Sequence, residues 1–323
     1  MNKWSATASE EIGDCMKAAC INKPLAQPSD RRLDTRRLLP VAALLAAVFL
    51  WGGSFAAMRL AVQAMHPLTV VWLRMIIALA AVLPFAGRLK IDAYRSGDWK
   101  LLAPMVILQP CLYFLLESNA LRYTTSSQAG VISALVPLLV AVGAWLMLAE
   151  PVARHAFVGL ALAVAGVAVL SLTGAGDAAA ANPLLGNGLE LGAMISAAAN
   201  MILVKRLSDR YDPWLLTALQ VLAGSLFFSP GLVLLMRSPG VDWTFTLVLA
   251  LLFLGALVTL GAFGLYNWAM SRIPASRAAA YINLVPVTAV AIGWLAMGEA
   301  LNGWQSAAAM AVIVGVVISQ KGG

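Results

Sequence analysis

LVPLLVAVGAWLMLAE occupies residues 135–150, and LVPVTAVAIGWLAMGE occupies residues 284–299. Six of the sixteen positions coincide (Leu, Val, Pro, Trp, Leu and Glu), each displaced by 149 residues. Proline in a helix interior removes a backbone hydrogen bond and costs about 3 kcal/mol. A costly residue that recurs in one register, with a tryptophan and a closing glutamate, marks a duplicated device. The duplication extends outward. Ser127 matches Ser276, Ala129 matches Ala278, Gly166 matches Gly315 and Val167 matches Val316 at the same displacement. Arg59 with Lys205, Pro67 with Pro213 and Arg74 with Gln220 are related by a displacement of 146.

Composition names the solvent. The chain has 323 residues, 61% hydrophobic and 11% charged, against roughly 25% charged in soluble domains. A soluble globule of this length could not hide that much apolar surface, so lipid surrounds it. The net charge of +7 is spread between apolar runs rather than gathered on one face, which reads as membrane orientation and excludes a nucleic-acid partner. Cys15, Cys20 and Cys111 form no metal-ligand spacing, and a tail in the reducing cytosol predicts no disulfide. Residues 1–37 mix acidic and basic side chains without an apolar core. They read as a disordered cytosolic N-terminal tail and not as a secretory signal.

Apolar stretches able to cross about 30 Å of hydrocarbon fall near 39–58, 68–87, 100–119, 127–149, 154–173, 187–204, 213–236, 245–270, 275–297 and 303–319. The expected fold is an all-α membrane protein of ten transmembrane helices. A linker at 174–186, rich in Gly, Ala and Asn, separates a five-helix repeat at 38–173 from a second at 187–320. With the amino terminus in the cytosol, only Arg59, Arg122 and Arg237 of the 22 Lys and Arg residues fall on the far face, and Arg74 lies within a span. This positive-inside asymmetry places both termini inside. Five is odd, so the second repeat enters from the opposite side, and inverted repeats are frequent in secondary transporters.

Pro137 and Pro286 lie ten or eleven residues into their spans, roughly 15 Å deep at 1.5 Å per residue. Each is expected to free a carbonyl, at Ser133 or Ile282, and to bend its helix beside a cavity. Glu150 and Glu299 are expected to cap the first turn of the helix that follows each. Arg74 and Glu117 are ionisable groups at membrane depth, where charge is expensive; they read either as functional-site candidates or as side chains reaching the interface or forming a structural Arg–Glu pair. Glu190 reads more simply as a side chain reaching the interface.

Uncharged polar residues supply the remaining cavity candidates. Trp51 and Ser54 lie on the first span, Gln109 and Tyr113 on the third and Asn200 on the sixth. Tyr266 and Asn267 lie on the eighth span, and Tyr281 and Asn283 on the ninth. In a dry bundle such groups serve as interhelical hydrogen bonds; their concentration on a few spans favours a shared polar cavity. Gly143, Gly159, Gly166, Gly293 and Gly315 are candidates for close helix packing. Enzymatic chemistry is disfavoured. His66 and His155 fall on opposite sides, and no nucleophile elbow, phosphate loop or metal-ligand spacing is present. No cofactor is expected.

Residues 51–84, WGGSFAAMRLAVQAMHPLTVVWLRMIIALAAVLP, with Trp51-Gly52, Pro67 and Arg74, resemble the opening of the EamA family of the drug/metabolite transporter superfamily. The proline-to-glutamate segments at 133–150 and 282–299 resemble that family's corresponding segment in each half, with Ala149 departing from the Gly298-Glu299 ending of the second copy. The resemblance covers residues 38–320. It implies a ten-helix carrier of the bacterial inner membrane, with a cavity built largely by the third, fourth, eighth and ninth spans. It also implies export of amino acids, related metabolites or toxic organic compounds by alternating access. The competing reading is a non-transporting membrane sensor or scaffold. The topology has a direct check. A membrane-impermeant thiol reagent on intact cells should label a cysteine introduced in the 174–186 linker and miss one at residue 321; the opposite pattern contradicts the assignment of faces.

Overall fold

The computed structural model describes residues 35–88, 94–148, 154–173, 180–208, 210–238, 240–270, 272 and 281–319. The expected tail lies outside them except for Thr35–Arg37, which begin the first helix. Among the described residues every regular element is helical. In chain order these are α1 Thr35–Ala64, α2 Pro67–Val82, α3 Trp99–Val106, α4 Tyr113–Tyr123, α5 Ser126–Ser133, α6 Val136–Leu148 and α7 Arg154–Thr173. The second half contributes α8 Pro183–Leu207, α9 Pro213–Phe227, α10 Pro230–Arg237, α11 Phe245–Leu252, α12 Phe263–Met270, α13 Val285–Met297 and α14 Gly303–Ser319. Helix α8 starts four residues inside the expected linker. Six described helices are long and apolar enough to cross a membrane, or seven when α9 and α10, bent by 46°, count as one span.

Local sequence explains where helices start. His66 and Asp212 each stand before a proline and accept a hydrogen bond from the backbone N–H two residues on, of Leu68 (3.2 Å) and Trp214 (2.7 Å). A polar N-cap followed by proline at the first helical position is a strong start signal, because proline lacks a donor where none is needed. The two caps lie 146 residues apart, in the register of the sequence repeat.

The helix breaks keep the same registers. Wider, π-type turns run over Ile107–Leu112 between α3 and α4, and over Phe253–Ala262 between α11 and α12. Their first residues are 146 apart. Two-residue turns at 134–135 and 283–284 interrupt the segments that carry the prolines, with 149 residues between them. This corrects the expectation for Pro137 and Pro286. Neither sits inside a bent continuous helix; each is the second residue of a helix that restarts after a turn. There a missing N–H costs little, and the fixed φ of proline suits the helix. The prolines therefore mark where the chain resumes.

Among the described residues the two larger of four apolar cores hold most of the bundle. One gathers Met58, Val71, Met75, Phe114, Leu254 and Ile282, and the other Leu135, Leu138, Leu170, Met194 and Val312. Helices α7 and α14 approach closely through the expected small residues. A Cβ on Gly315 would lie 2.6 Å from the Gly159 carbonyl, and one on Gly166 would lie 2.8 Å from Val312. At the loop before α3, Asp98 accepts hydrogen bonds from the Tyr211 hydroxyl (2.6 Å), the Arg95 amide (2.8 Å) and the Arg210 guanidinium (2.8 Å). These donors, the Tyr211 hydroxyl foremost, hold its carboxyl down at about 2.

Candidate functional site

Between the helix breaks lies a cavity of about 90 Å³ measured for the centres of water-sized molecules. One water needs roughly 10–15 Å³ by that measure, so several fit. Trp51, Ser54, Arg74, Gln109, Tyr113 and Glu117 line it, together with Phe55, Phe114, Ser133, Val136, Met194, Ala197, Met201, Val258, Phe263, Ile282 and Val285. The third, fourth, eighth and ninth spans of the sequence reading all contribute. So do the first, second and sixth, which is a wider wall than the resemblance implies.

Charge organises one side of this cavity. Arg74 is buried and its Nε donates to the Thr259 hydroxyl at 2.9 Å. Its guanidinium carbon stands 4.2 Å from the centre of the Phe114 ring, a cation–π contact between two buried side chains. Glu117 is the nearest counter-charge, with Oε2 at 3.9 Å from the Arg74 guanidinium. Its Oε1 accepts the Tyr113 hydroxyl at 2.6 Å, one helical turn away. The ion pair is loose, and both partners face the cavity. The wide turn in the eighth span has a direct part in this, since Thr259 also donates to the Leu254 carbonyl five residues earlier (2.8 Å) while it receives Arg74.

A second polar set repairs the break in the third span. The Leu108 carbonyl accepts from the Ser196 hydroxyl at 2.8 Å, and the Gln109 carbonyl from the Gln220 amide at 3.0 Å. The Gln109 side chain accepts from Asn200 at 2.9 Å, and Asn200 in turn accepts from Gln220 at 3.2 Å. Asn200 therefore holds the cavity wall from behind. Tyr266 lies tilted against Trp51, ring centres 5.1 Å apart, and Phe263 meets Trp51 edge-on at 5.5 Å. Tyr281 packs against the apolar core, Asn283 lies in the two-residue turn, and Pro137 and Pro286 each follow a lining valine. The side chain of Asn267 and all of Glu150 lie outside the described residues.

Glu299 corrects its expected role. It does cap a helix, but not the next one. The start of α14 is closed by a reciprocal pair, Gln305 N–H to the Asn302 side chain and Asn302 N–H to the Gln305 side chain, both 2.8 Å. Glu299 instead reaches α5 in the other half of the chain. Its Oε1 accepts from Arg59 (2.8 Å) and the Ser126 amide (3.0 Å). Its Oε2 accepts from the Ser127 amide (2.8 Å) and from the Ser126 and Ser127 hydroxyls (2.8 and 2.7 Å). The first amides of a helix have no partner inside it and carry its positive dipole end, so a carboxylate there is well placed. Gly298, at φ +66°, turns the chain into this position, with the Glu299 amide returning to the Gly293 carbonyl at 3.2 Å. The Gly298 amide returns to the Trp294 carbonyl at 3.1 Å, which makes this an αL cap, for which glycine is the usual residue. Gly293 leaves the room, since a Cβ there would meet the Ser127 hydroxyl and the Glu299 carboxylate. Glu190 also departs from expectation. It does not reach the interface; it is completely buried, and neither carboxylate oxygen has a hydrogen-bond partner.

The EamA-like transporter family matches residues 38–172 and 184–320. The chain belongs to that family. Membership makes it a multi-pass membrane protein and places it among transporters rather than enzymes. The uncharacterized transporter YcxC of Bacillus subtilis (strain 168) is 28% identical over 286 residues, covering 86% of this chain and 91% of that protein. A Salmonella typhimurium protein named "Probable amino-acid metabolite efflux pump" is 26% identical and covers 86% of this chain and 93% of its own length. An uncharacterized transporter of Archaeoglobus fulgidus is 27% identical over 275 residues, with 84% and 95% covered. A solved structure titled "Crystal structure of protein" shares the fold at TM-score 0.58 and 18% identity, over 88% of this chain and 97% of that one.

The loose Arg74–Glu117 pair gives the test of the site. Removing one partner of a buried pair strands the other and costs about 3–5 kcal/mol. Arg74→Ala and Glu117→Gln should each impair transport or folding, while the double variant recovers at least about 1 kcal/mol of the summed losses. Additive effects in thermal unfolding and transport would separate the two residues.

Proposed function

We propose that this family member is a secondary transporter of the bacterial inner membrane that exports amino acids or related small metabolites by alternating access. The observation that carries the reading is the pairing of Arg74 with Glu117 at 3.9 Å on the wall of a cavity lined mostly by aromatic and aliphatic side chains, with Ser54, Gln109 and Ser133 as further polar groups. An α-amino acid carries a carboxylate and an ammonium on adjacent positions. Arg74 offers a fork of donors to the first, Glu117 a counter-charge to the second, and Phe55, Tyr113, Phe114 and Phe263 an apolar surface to the side chain. The name of the Salmonella relative supports this direction and class.

The architecture in the proposal is ten spans in two inverted five-helix repeats, 38–173 and 187–320, with both termini cytosolic. The six long apolar helices, the bent α9–α10 pair and the three shorter apolar helices, Phe157–Thr173, Val285–Met297 and Gly303–Ile318, support this count as its candidate crossings. Breaks and N-caps that repeat at 146 or 149 residues support the internal repeat. Helices interrupted at the cavity supply the places where each repeat can rock. By the same orientation the Glu299 clasp closes the outer end of the α1, α5 and α13 group.

The aromatic wall also favours a second reading, export of other amphipathic organic compounds. Proteoliposomes holding only this protein separate the readings. L-Phenylalanine, L-methionine and phenethylamine, which lacks the carboxylate, are loaded and their efflux followed. The expected result is amino-acid efflux above empty vesicles, with phenethylamine slower by about tenfold, the equivalent of ~1.4 kcal/mol in carboxylate recognition. Equal efflux of all three favours the second reading. Efflux of none contradicts transport of either class.

A further inference from the structure

The side-chain amides of Gln109, Asn200 and Gln220 form a chain whose polarity one backbone carbonyl fixes. The Gln109 carbonyl can only accept, so the Gln220 atom 3.0 Å from it is Nε2. That nitrogen also stands 3.2 Å from the Asn200 side chain, which must present Oδ1 to it. Asn200 keeps Nδ2 for its other contact, and at 2.9 Å the Gln109 side chain meets it with Oε1. The two ends of an amide are assigned from such networks, and this network admits one arrangement. It terminates on Gln109 Nε2, which carries two N–H bonds. Gln109 is only 8% exposed, and among the described residues no group accepts from that nitrogen. The nitrogen is not sealed in protein either. Within the break of the third span Gln109 has φ −142° and ψ 121°, which takes its side chain out of the helical path. It lines the main cavity and a smaller one of about 30 Å³, whereas Asn200 lines neither. The amide oxygen is thus turned to the bundle and the nitrogen to open space. Phe114, beneath the Arg74 guanidinium, and Thr259, which receives Arg74 Nε, line the smaller cavity with Gln109. The free donor therefore stands on the Arg74 side of the site.

We propose that Gln109 is a specificity-determining residue whose Nε2 donates to a carboxylate oxygen of the substrate, with Asn200 and Gln220 as the residues that position it. The proposal rests on the transporter reading above and adds a second donor to the Arg74 fork. A carboxylate has lone pairs enough for both. An amide free to turn would offer its Oε1 as readily and so accept from an ammonium. The Gln220–Asn200 relay prevents that turn, because a turned Gln109 would set its Nε2 against the Asn200 Nδ2, donor against donor. The site thereby tells a carboxylate from an ammonium by the direction of a hydrogen bond as well as by charge. A buried donor in a mostly apolar wall is costly without an acceptor, and the substrate carboxylate supplies one.

The test compares two probes of one shape by calorimetric titration of the purified full chain in lipid. 3-Phenylpropionate carries a carboxylate and no ammonium, and phenethylamine the reverse. In Gln109→Met the ratio of 3-phenylpropionate to phenethylamine affinity should fall about tenfold, the low end for a hydrogen bond to a charged group. Gln109→Glu keeps an oxygen for Asn200 and puts a second oxygen where Nε2 stood, so there the ratio should fall further. In Asn200→Leu, outside both linings, the unanchored amide should lower the ratio by about threefold, a shift in selectivity that loss of packing alone would not produce. Gln109→Glu and Asn200→Leu carry the test if Gln109→Met does not fold. A wild-type ratio in every folded variant, or no binding of 3-phenylpropionate to wild type, overturns the proposal; the donor then meets only the water of the smaller cavity. A ratio that depends on Gln109, with no efflux of L-phenylalanine from proteoliposomes, supports the donor and counts against the amino-acid reading.

Discussion

A broken helix in hydrocarbon must have its freed backbone groups satisfied by protein, because no water is there to do it. The Ser196 and Gln220 side chains, bound to the Leu108 and Gln109 carbonyls, meet that requirement in the third span. The rest of the site depends on it. With those carbonyls satisfied, the chain can widen at Ile107–Leu112 and place Gln109, Tyr113 and Glu117 along one cavity wall. The corresponding turn at Phe253–Ala262 lets Thr259 receive Arg74 on the facing side. Discontinuity and charge thus share one location, where each makes the other tolerable: the breaks open polar space, and the polar space justifies buried ions.

The Glu299 clasp applies the same economy at a helix end. One carboxylate satisfies two orphan amides of α5, two serine hydroxyls and Arg59. Residues from α1, α5 and the end of α13 are held by a single side chain, which is turned into place by the left-handed Gly298. Such a set depends most on its carboxylate, since removing it takes a shared acceptor from the buried Arg59 and from the first amides of α5 at once. A cooperative contact of this kind suits an end that is either closed or open, with little between.

Much of this was legible in the chain. Arg74 and Glu117 declared themselves as ions at membrane depth, and the prolines and Glu299 as members of a repeated pattern. What pattern reading missed are relations across long separations. Glu299 was visible as a cap, yet its helix starts 173 residues earlier at Ser126, and the nearer helix already had Asn302 and Gln305. Pro137 was visible as an interruption, but periodicity does not distinguish a bend from a helix that stops and restarts. Glu190 was read as interfacial because position along a span reports depth and not which neighbours surround it. The apolar lining residues, Phe55, Met194 and Val258 among them, carry no signal that separates a cavity wall from lipid-facing or core packing.

The central claim is that the cavity beside Arg74 and Glu117 is a transport site reached alternately from the two sides of the membrane. Ser133, which lines it, provides the most direct measurement. A single cysteine at this position, in a chain otherwise free of cysteine, is exposed to an impermeant thiol reagent from outside or from inside sealed vesicles, with and without L-phenylalanine. The account predicts labelling from both sides, slowed on each by L-phenylalanine. Labelling from one side only, at a rate that L-phenylalanine leaves unchanged, would contradict it.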